Sequence, residues 1–295
     1  MKIETQEISS NIINDKKINL FIKRIDKIDD FISGNKWYKL KYNIIEAKRL
    51  KIDTILTFGG AYSNHIVATA CAAKKNGLKS IGIIRGEETH RLNESLKIAK
   101  AHKMRLIYIS RSNYRKKSDL QFIEDLKYNL GEFYLIPEGG TNKLGVKGAE
   151  QILTKKDNYD VICLPVGTGG TISGIINSSG DHQKIIGFPV IKGIGSLKSD
   201  IASMSNKENW TLINNYVFGG YAKINNDLID FINNFYKYYN IPLDCIYTGK
   251  MMYGVLDLIN NGYFKQNTNI LTIHTGGLLA NKGINSKFNL NLPII

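Results

Sequence analysis

Eight short apolar runs alternate with longer helical stretches along this chain, and four of those runs end in a pair of glycines. This alternation constrains the fold more than any single motif does. The first four runs are TILTFGG (54–60), SIGIIRG (80–86), RLIYIS (105–110) and FYLIPEGG (133–140). Between them lie SNHIVATACAAKKNG, RLNESLKIAKAHK and KSDLQFIEDLKYNLG, which read as helices. The first and last of these stop at glycine, a common helix terminator. A second series follows, with strands expected in YDVICLPVGTGG (159–170), KIIGFPVI (184–191), TLINNY (211–216) and NILTIHTGG (269–277). Helices fit at 171–179, 225–239 and 250–261. Apolar strands separated by helices belong to parallel sheets covered on both faces. The pattern predicts an α/β chain of two closely joined domains with a cleft between them.

At 295 residues and 43% hydrophobic content, the chain can bury cores of that size. The net charge of +14 raises nucleic acid as a partner. The lysines are spread over the whole chain, however, within a general bias toward Lys, Asn and Ile. The densest basic cluster, NYRKKSDLQ, sits between expected elements. A solvated surface is expected, with no specific nucleic-acid partner. The opening MKIETQEISSNIINDKK is polar throughout, which argues against a secretory signal. No apolar run approaches the roughly 20 residues of a membrane span. Cys71, Cys163 and Cys245 are odd in number and far apart, as thiols in a reducing compartment are. A cytoplasmic protein without a metal site is expected.

Chemistry is expected where the glycine pairs fall, because ligands of open α/β sheets sit beyond the carboxyl ends of the strands. In VGTGGTISG, Gly167, Thr168, Gly169, Gly170 and Thr171 form a short loop that opens a helix. Successive N–H groups there make an anion cup. The loop lacks the lysine of a P-loop and the GxGxxG pattern, so one phosphate monoester fits better than a nucleotide. In GGAYSNHIVATA, Ser63 is the expected N-cap, with Asn64 and His65 in the first helical turn. That helix start suits a carboxylate. In SGNKWYKL, a turn signal delivers Lys36 just before a helical pattern; Lys39 and Lys41 read as ordinary surface charge.

A lysine, a phosphate cup and a carboxylate site point together to pyridoxal phosphate (PLP), whose aldehyde a lysine holds as a Schiff base. The segments SGNKWYKL, GGAYSNH, PEGGTNKLG, VGTGGT, FGGYAK, LDCIYTGK and IHTGG run in order from residue 33 to 277. With them the chain resembles PLP enzymes of the tryptophan synthase β-like fold (fold type II), in the group of 1-aminocyclopropane-1-carboxylate (ACC) deaminase and D-cysteine desulfhydrase. The resemblance implies a two-domain PLP fold type II, each domain an open, mostly parallel sheet flanked by helices. It implies a smaller domain over 39–147, a larger PLP-binding one over 1–38 plus 148–295, and a homodimer.

By the same resemblance Lys36 is the Schiff-base lysine and moves the proton at Cα. Asn64 contacts the pyridoxal 3′ oxygen. Ser63 and His65 bind the substrate carboxylate, with Asn64 and Tyr62 beside the substrate. Gly167, Thr168, Gly169, Gly170 and Thr171 hold the phosphate. Tyr221 and Tyr247 are the active-site tyrosines, Thr248 partners the pyridine nitrogen, and Thr275 lines the site. Trp37-Tyr38 and Ala61-Tyr62 depart from the Thr-Arg and Ile-Gln that the group often carries, which ties Tyr62 to substrate size. The expected activity is loss of a β-group from a small amino acid. D-cysteine desulfhydrase leads, ACC deaminase is the alternative, and a non-catalytic PLP- or RNA-binding protein is the third reading.

Overall fold

The computed structural model describes residues 3–88, 92–191 and 193–294. Ten strands form two sheets: β1 (Thr5–Ile8), β2 (Asn19–Lys23), β3 (Thr54–Gly60), β4 (Lys79–Arg85), β5 (Met104–Ile109), β6 (Tyr134–Ile136), β7 (Val161–Val166), β8 (Lys184–Pro189), β9 (Trp210–Leu212) and β10 (Asn269–Ile273). The four-stranded sheet has order β5-β4-β3-β6 and the six-stranded sheet β1-β2-β10-β7-β8-β9. Every pairing is parallel except β1 with β2. The architecture is mixed α/β, with parallel sheets flanked by helices.

All eight expected strands are present. β6 is shorter than its apolar run, because Pro137 ends it and Glu138–Gly140 form a tight turn. Arg91, where the second expected helix begins, lies outside the described residues; the helix spans Glu94–Ala101, with Asn93 as its N-cap. β1 and β2 were not expected. Their sequences, TQEI and NLFIK, mix exposed and buried positions, and β1 buries only Ile8. β1 sits at the sheet edge, where one ladder of hydrogen bonds is enough and the run need not be apolar.

Both faces of the large sheet are covered. Cys163 of β7 packs on one side with Leu228, Ile232, Met251 and Val255. Its neighbours Ile162, Leu164 and Val166 point to the other side and meet Ile172, Ile176 and Ile201. In the small sheet, Ile55 packs on the helices Asn35–Arg49 and Asn64–Lys75. Leu56 and Phe58 pack on the side that carries the helix Leu120–Leu130.

The two sheets meet through three helices: Asn35–Arg49, Lys143–Ala149 and Gly170–Ser178. Two glycines allow that approach. A Cβ on Gly148 would stand 2.0 Å from the Tyr38 carbonyl oxygen, and one on Gly174 would stand 2.6 Å from the Val146 carbonyl oxygen. Both obstacles are backbone and cannot rotate away. Gly148→Val should therefore overpack the seam by about 3 kcal/mol. Thermal melting should show Tm lowered by roughly 6 °C; an unchanged Tm would mean that the helices separate without cost.

Candidate active site

One cavity of about 920 Å³ lies beyond the carboxyl ends of the strands, and the glycine-rich loops open into it. Lys36 reaches it from the first turn of the helix Asn35–Arg49, not from an irregular loop. Gly34 precedes that helix with φ of +63°, and a Cβ there would stand 1.9 Å from the Thr275 carbonyl oxygen. Glycine is required on both counts. The same carbonyl accepts the Asn35 N–H at 3.2 Å. The Asn35 amide donates to Thr171 Oγ1 at 2.8 Å. The turn before Lys36 is thereby tied both to the end of β10 and to the phosphate loop.

Lys36 Nζ donates to the Gly139 carbonyl at 3.0 Å. Burial pushes its pKa down to about 8, against the opposing pull of the Glu138 carboxylate. Lys39 lies one helical turn on, only 1% exposed, with Nζ 2.9 Å from Thr141 Oγ1. Burial, and then the charge of Lys36, hold its ammonium well below the usual lysine range. Reading Lys39 as surface charge was therefore mistaken. Its spacing of three from Lys36, which places both on one helix face, was the available signal.

The loop Gly167–Thr171 folds as an anion cup. Gly169 adopts a left-handed φ of +86° and starts the helix Gly170–Ser178. Helix-start N–H groups have no partner within the helix, so they face whatever lies in front. A Cβ on Gly170 would stand 2.8 Å from Lys39 Nζ, which places that buried cation at the same cup. Thr168 Oγ1 meets Thr141 Oγ1 at 2.5 Å, closing the cup from the other sheet.

Ser63 caps the helix Asn64–Lys75 and accepts the Ile66 N–H. His65 is 2% exposed, and its Nε2 lies 2.9 Å from Thr57 Oγ1. The Thr57 hydroxyl gives its proton to the Ile136 carbonyl at 2.7 Å, so His65 must be the donor in the first contact. Burial, with Lys36 and Lys39 beside it, keeps the ring neutral. His65 Nδ1 then carries a lone pair and has no partner. Its ring cannot donate to a carboxylate, and what it offers an anion is its backbone N–H in the first helical turn.

Tyr247 lies over Gly167, where a Cβ would come within 3.2 Å of the ring. Tyr221 meets it edge-on at a centroid distance of 6.2 Å. Burial raises the Tyr247 hydroxyl well above the ordinary tyrosine pKa, so it stays protonated. Lys250, absent from the sequence reading, donates to the Val217 and Gly220 carbonyls at 2.9 and 2.7 Å and anchors the loop that presents Tyr221.

The structure brings Lys36, Ser63, Asn64, His65, Gly167, Thr168, Gly169, Thr171, Tyr221, Tyr247 and Thr275 to this one cavity. Gly170 stands just behind its wall. Two residues sit apart. The Tyr62 ring lies against the helix Leu279–Phe288, 2.7 Å from where a Gly283 Cβ would be. Thr248 is fully buried; its hydroxyl donates to Asp244 Oδ2 at 2.6 Å and accepts the Asp244 N–H at 2.9 Å. Arg85 and Glu138 also line the cavity; Glu138 stands in the PEGGTNKLG segment without an expected role, and Arg85 in none of the segments that carry the resemblance.

The cavity thus joins a lysine amine of lowered pKa to an anion cup backed by a second cation. Asn64 Oδ1 is buried without a partner beside them. An aldehyde cofactor carrying one phosphate fits these groups, and an orphaned polar atom is expected where a bound ring would complete the bonding. The site is that of a lysine-dependent α/β enzyme.

Comparison with known proteins agrees. The sequence matches the family described as "Pyridoxal-phosphate dependent enzyme" over residues 9–276, and the chain belongs to that family. A Pyrococcus abyssi protein provisionally named a 1-aminocyclopropane-1-carboxylate deaminase is 30% identical over 282 residues, 88% of this chain and 85% of its own length. The Arabidopsis thaliana mitochondrial bifunctional D-cysteine desulfhydrase/1-aminocyclopropane-1-carboxylate deaminase is 30% identical over 290 residues, covering 88% of this chain and 72% of that one. A crystal structure of an ACC deaminase homologue superposes with a TM-score of 0.81 at 27% identity, covering 97% of this chain and 92% of its own.

Lys36→Ala should keep PLP in the anion cup but lose the link that borohydride fixes to the wild-type chain. Mass spectrometry of the reduced protein reads this; label on Lys39 instead would reassign the role. Only a neutral amine attacks the aldehyde. With a pKa of about 8, reloading of the apoprotein should level off above that pH. It should slow about tenfold per unit below it.

Proposed function

We propose that the chain eliminates the β-group of a small amino acid, with D-cysteine as leading substrate, giving pyruvate, sulfide and ammonia. When bound, PLP supplies an electron sink for charge at the substrate Cα, strongest where a carboxylate faces its ring nitrogen. Lys36 takes the Cα proton. The N–H groups at the start of the helix Asn64–Lys75, with the Ser63 hydroxyl, hold the substrate carboxylate. The cup Gly167–Thr171 and Lys39 hold the phosphate. The Tyr221 and Tyr247 rings wall the cavity on one side.

The observation that carries the choice of elimination is at position 248. There the resemblance places the partner of the ring nitrogen, and the chain instead has a buried threonine outside the cavity lining, its hydroxyl committed to Asp244. The carboxylate behind it, Asp244, does not line the cavity. Its oxygens accept the N–H groups of Ile246, Tyr247 and Thr248 and the Thr248 hydroxyl. Position 248 thus offers the ring no carboxylate, which suits departure of a good leaving group such as thiolate. Opening an unactivated cyclopropane asks more of the sink. The names of the relatives keep ACC deaminase as the second reading.

The smaller domain is assigned to 39–147 and the larger to 1–38 plus 148–295. A homodimer follows the family resemblance. An intracellular setting is in keeping with three free, buried cysteines. No helix among the described residues is long and apolar enough to cross a membrane.

The purified holoenzyme should release sulfide and pyruvate from D-cysteine at least about tenfold faster, in kcat/KM, than 2-oxobutyrate from ACC, a barrier difference of about 1.4 kcal/mol. Efficient ACC opening with negligible D-cysteine turnover would promote the second reading.

A further inference from the structure

The basic run NYRKKSDLQ plays no part in the site described so far, yet the fold carries it there. Ser110 caps the short helix Arg111–Tyr114 directly after β5. β5 pairs with β4 so that Ile109 lies opposite Arg85. A second cavity of about 490 Å³ opens at this corner. It shares Gly60, Arg85 and Glu138 with the main cavity, so the two meet at that edge.

The walls of this annex carry Arg85, Arg111, Arg115 and Lys117 against one carboxylate, Glu138. Lys117 pairs with Glu138 at 3.4 Å. Among the described residues, no ion pair engages Arg85, Arg111 or Arg115. Two of these cations, Arg85 and Lys117, are held in direction. Tyr114 is buried and donates its hydroxyl to Glu138 at 2.8 Å. The Arg85 guanidinium lies 5.6 Å from the Tyr114 ring centroid and Lys117 Nζ lies 5.2 Å from it. An aromatic ring under two cations fixes their direction at small cost. Gly60 lies beside Arg85, where a Cβ would make an ordinary contact with Nη2 at 3.6 Å. Converging guanidinium groups in a concavity select an oxyanion, which they bind by paired charge-assisted hydrogen bonds.

The geometry points to a substrate with a second anionic group: the annex receives the oxyanion of a β-substituent while the α-carboxylate sits at the helix start by Ser63. Beside D-cysteine, the substrates that the annex favours are then alanines bearing a phosphate, sulfate or thiosulfate group at Cβ. This rests on the elimination reading and specifies the leaving group. The Cα proton passes to Lys36, and the Cβ–O or Cβ–S bond breaks with its electron pair leaving on the oxyanion. With one water, O-phosphoserine yields pyruvate, ammonium and phosphate, and S-sulfocysteine yields pyruvate, ammonium and thiosulfate. Nothing is oxidised or reduced overall.

The test compares both enantiomers of O-phosphoserine and S-sulfocysteine with β-chloroalanine and D-cysteine. Wild-type holoenzyme is set beside the Arg111→Gln/Arg115→Gln double variant. Both arginines are exposed and line only the annex. The anionic substrates should exceed β-chloroalanine by about tenfold or more in kcat/KM, as charge-assisted bonds allow. That preference should fall about tenfold in the double variant while D-cysteine turnover stays unchanged. No preference, or one that survives in the variant, overturns the proposal. An equal loss for D-cysteine and the anionic substrates also overturns it, because the cations would then serve the α-carboxylate. If no substrate turns over, the elimination reading fails, and calorimetric titration of O-phosphoserine into the holoenzyme still decides about the annex. Binding about tenfold weaker in the variant supports it, and equal affinity overturns it.

Discussion

The contact between Gly34 and the Thr275 carbonyl sets the geometry of the whole site. It brings the end of β10 against the turn before the helix Asn35–Arg49 with no room for a side chain. The Asn35 N–H fixes the approach from one side and the Asn35 amide, bonded to Thr171, fixes it from another. Three segments far apart in sequence therefore share one short turn. Lys36 follows directly, so its amine is placed by backbone packing and not by the flexibility of its own side chain. The seam at Gly148 and Gly174 repeats this use of bare backbone, and it brings the Lys39-bearing helix close to the phosphate cup.

Much of this was legible in the sequence because it rests on local pattern. The eight apolar runs became strands, and each of the four glycine pairs puts at least one member, Gly60, Gly139, Gly169 or Gly276 with Gly277, on the cavity wall, because strand burial and backbone turns leave direct marks on residue choice. What escaped notice depends on tertiary position. β1 and β2 are too mixed in polarity to stand out from a polar N-terminal segment. Lys39 has the look of a surface lysine and is buried because Gly140, Thr141 and Gly170 close around its side chain. Lys250 acts through two carbonyls 30 and 33 residues away. The tautomer of His65 follows from where the Thr57 hydroxyl sends its proton, which no spacing rule encodes. For Thr248 the residue type was plain, but its engagement with Asp244 needed coordinates.

The electrostatic pattern separates two kinds of positive charge. Most of the +14 is solvated and dispersed. A small set is held by structure: Lys36 and Lys39 in the cup, and the cations around Tyr114 at the annex. The two lysines have little water to stabilise them, the annex cations are more exposed, and both sets face places where anions are expected. A sum over the chain conceals this difference, so net charge pointed toward nucleic acid while the local arrangement points toward small anions.

The two buried lysines also bear on the life of the chain before it acquires its cofactor. Each is a cation whose charged form is disfavoured by its surroundings, Lys36 falling from 10.5 to about 8 and Lys39 well below the usual value. For a lysine lowered in this way, the cost to folding is full below the folded pKa. It fades as pH rises from about 8 toward 10.5. Near neutral pH the empty protein is therefore strained at its own centre, and an incoming phosphate relieves that strain by binding only the folded form. The empty chain is then the form whose stability gains as pH rises through this range, and an occupied cup lessens that dependence.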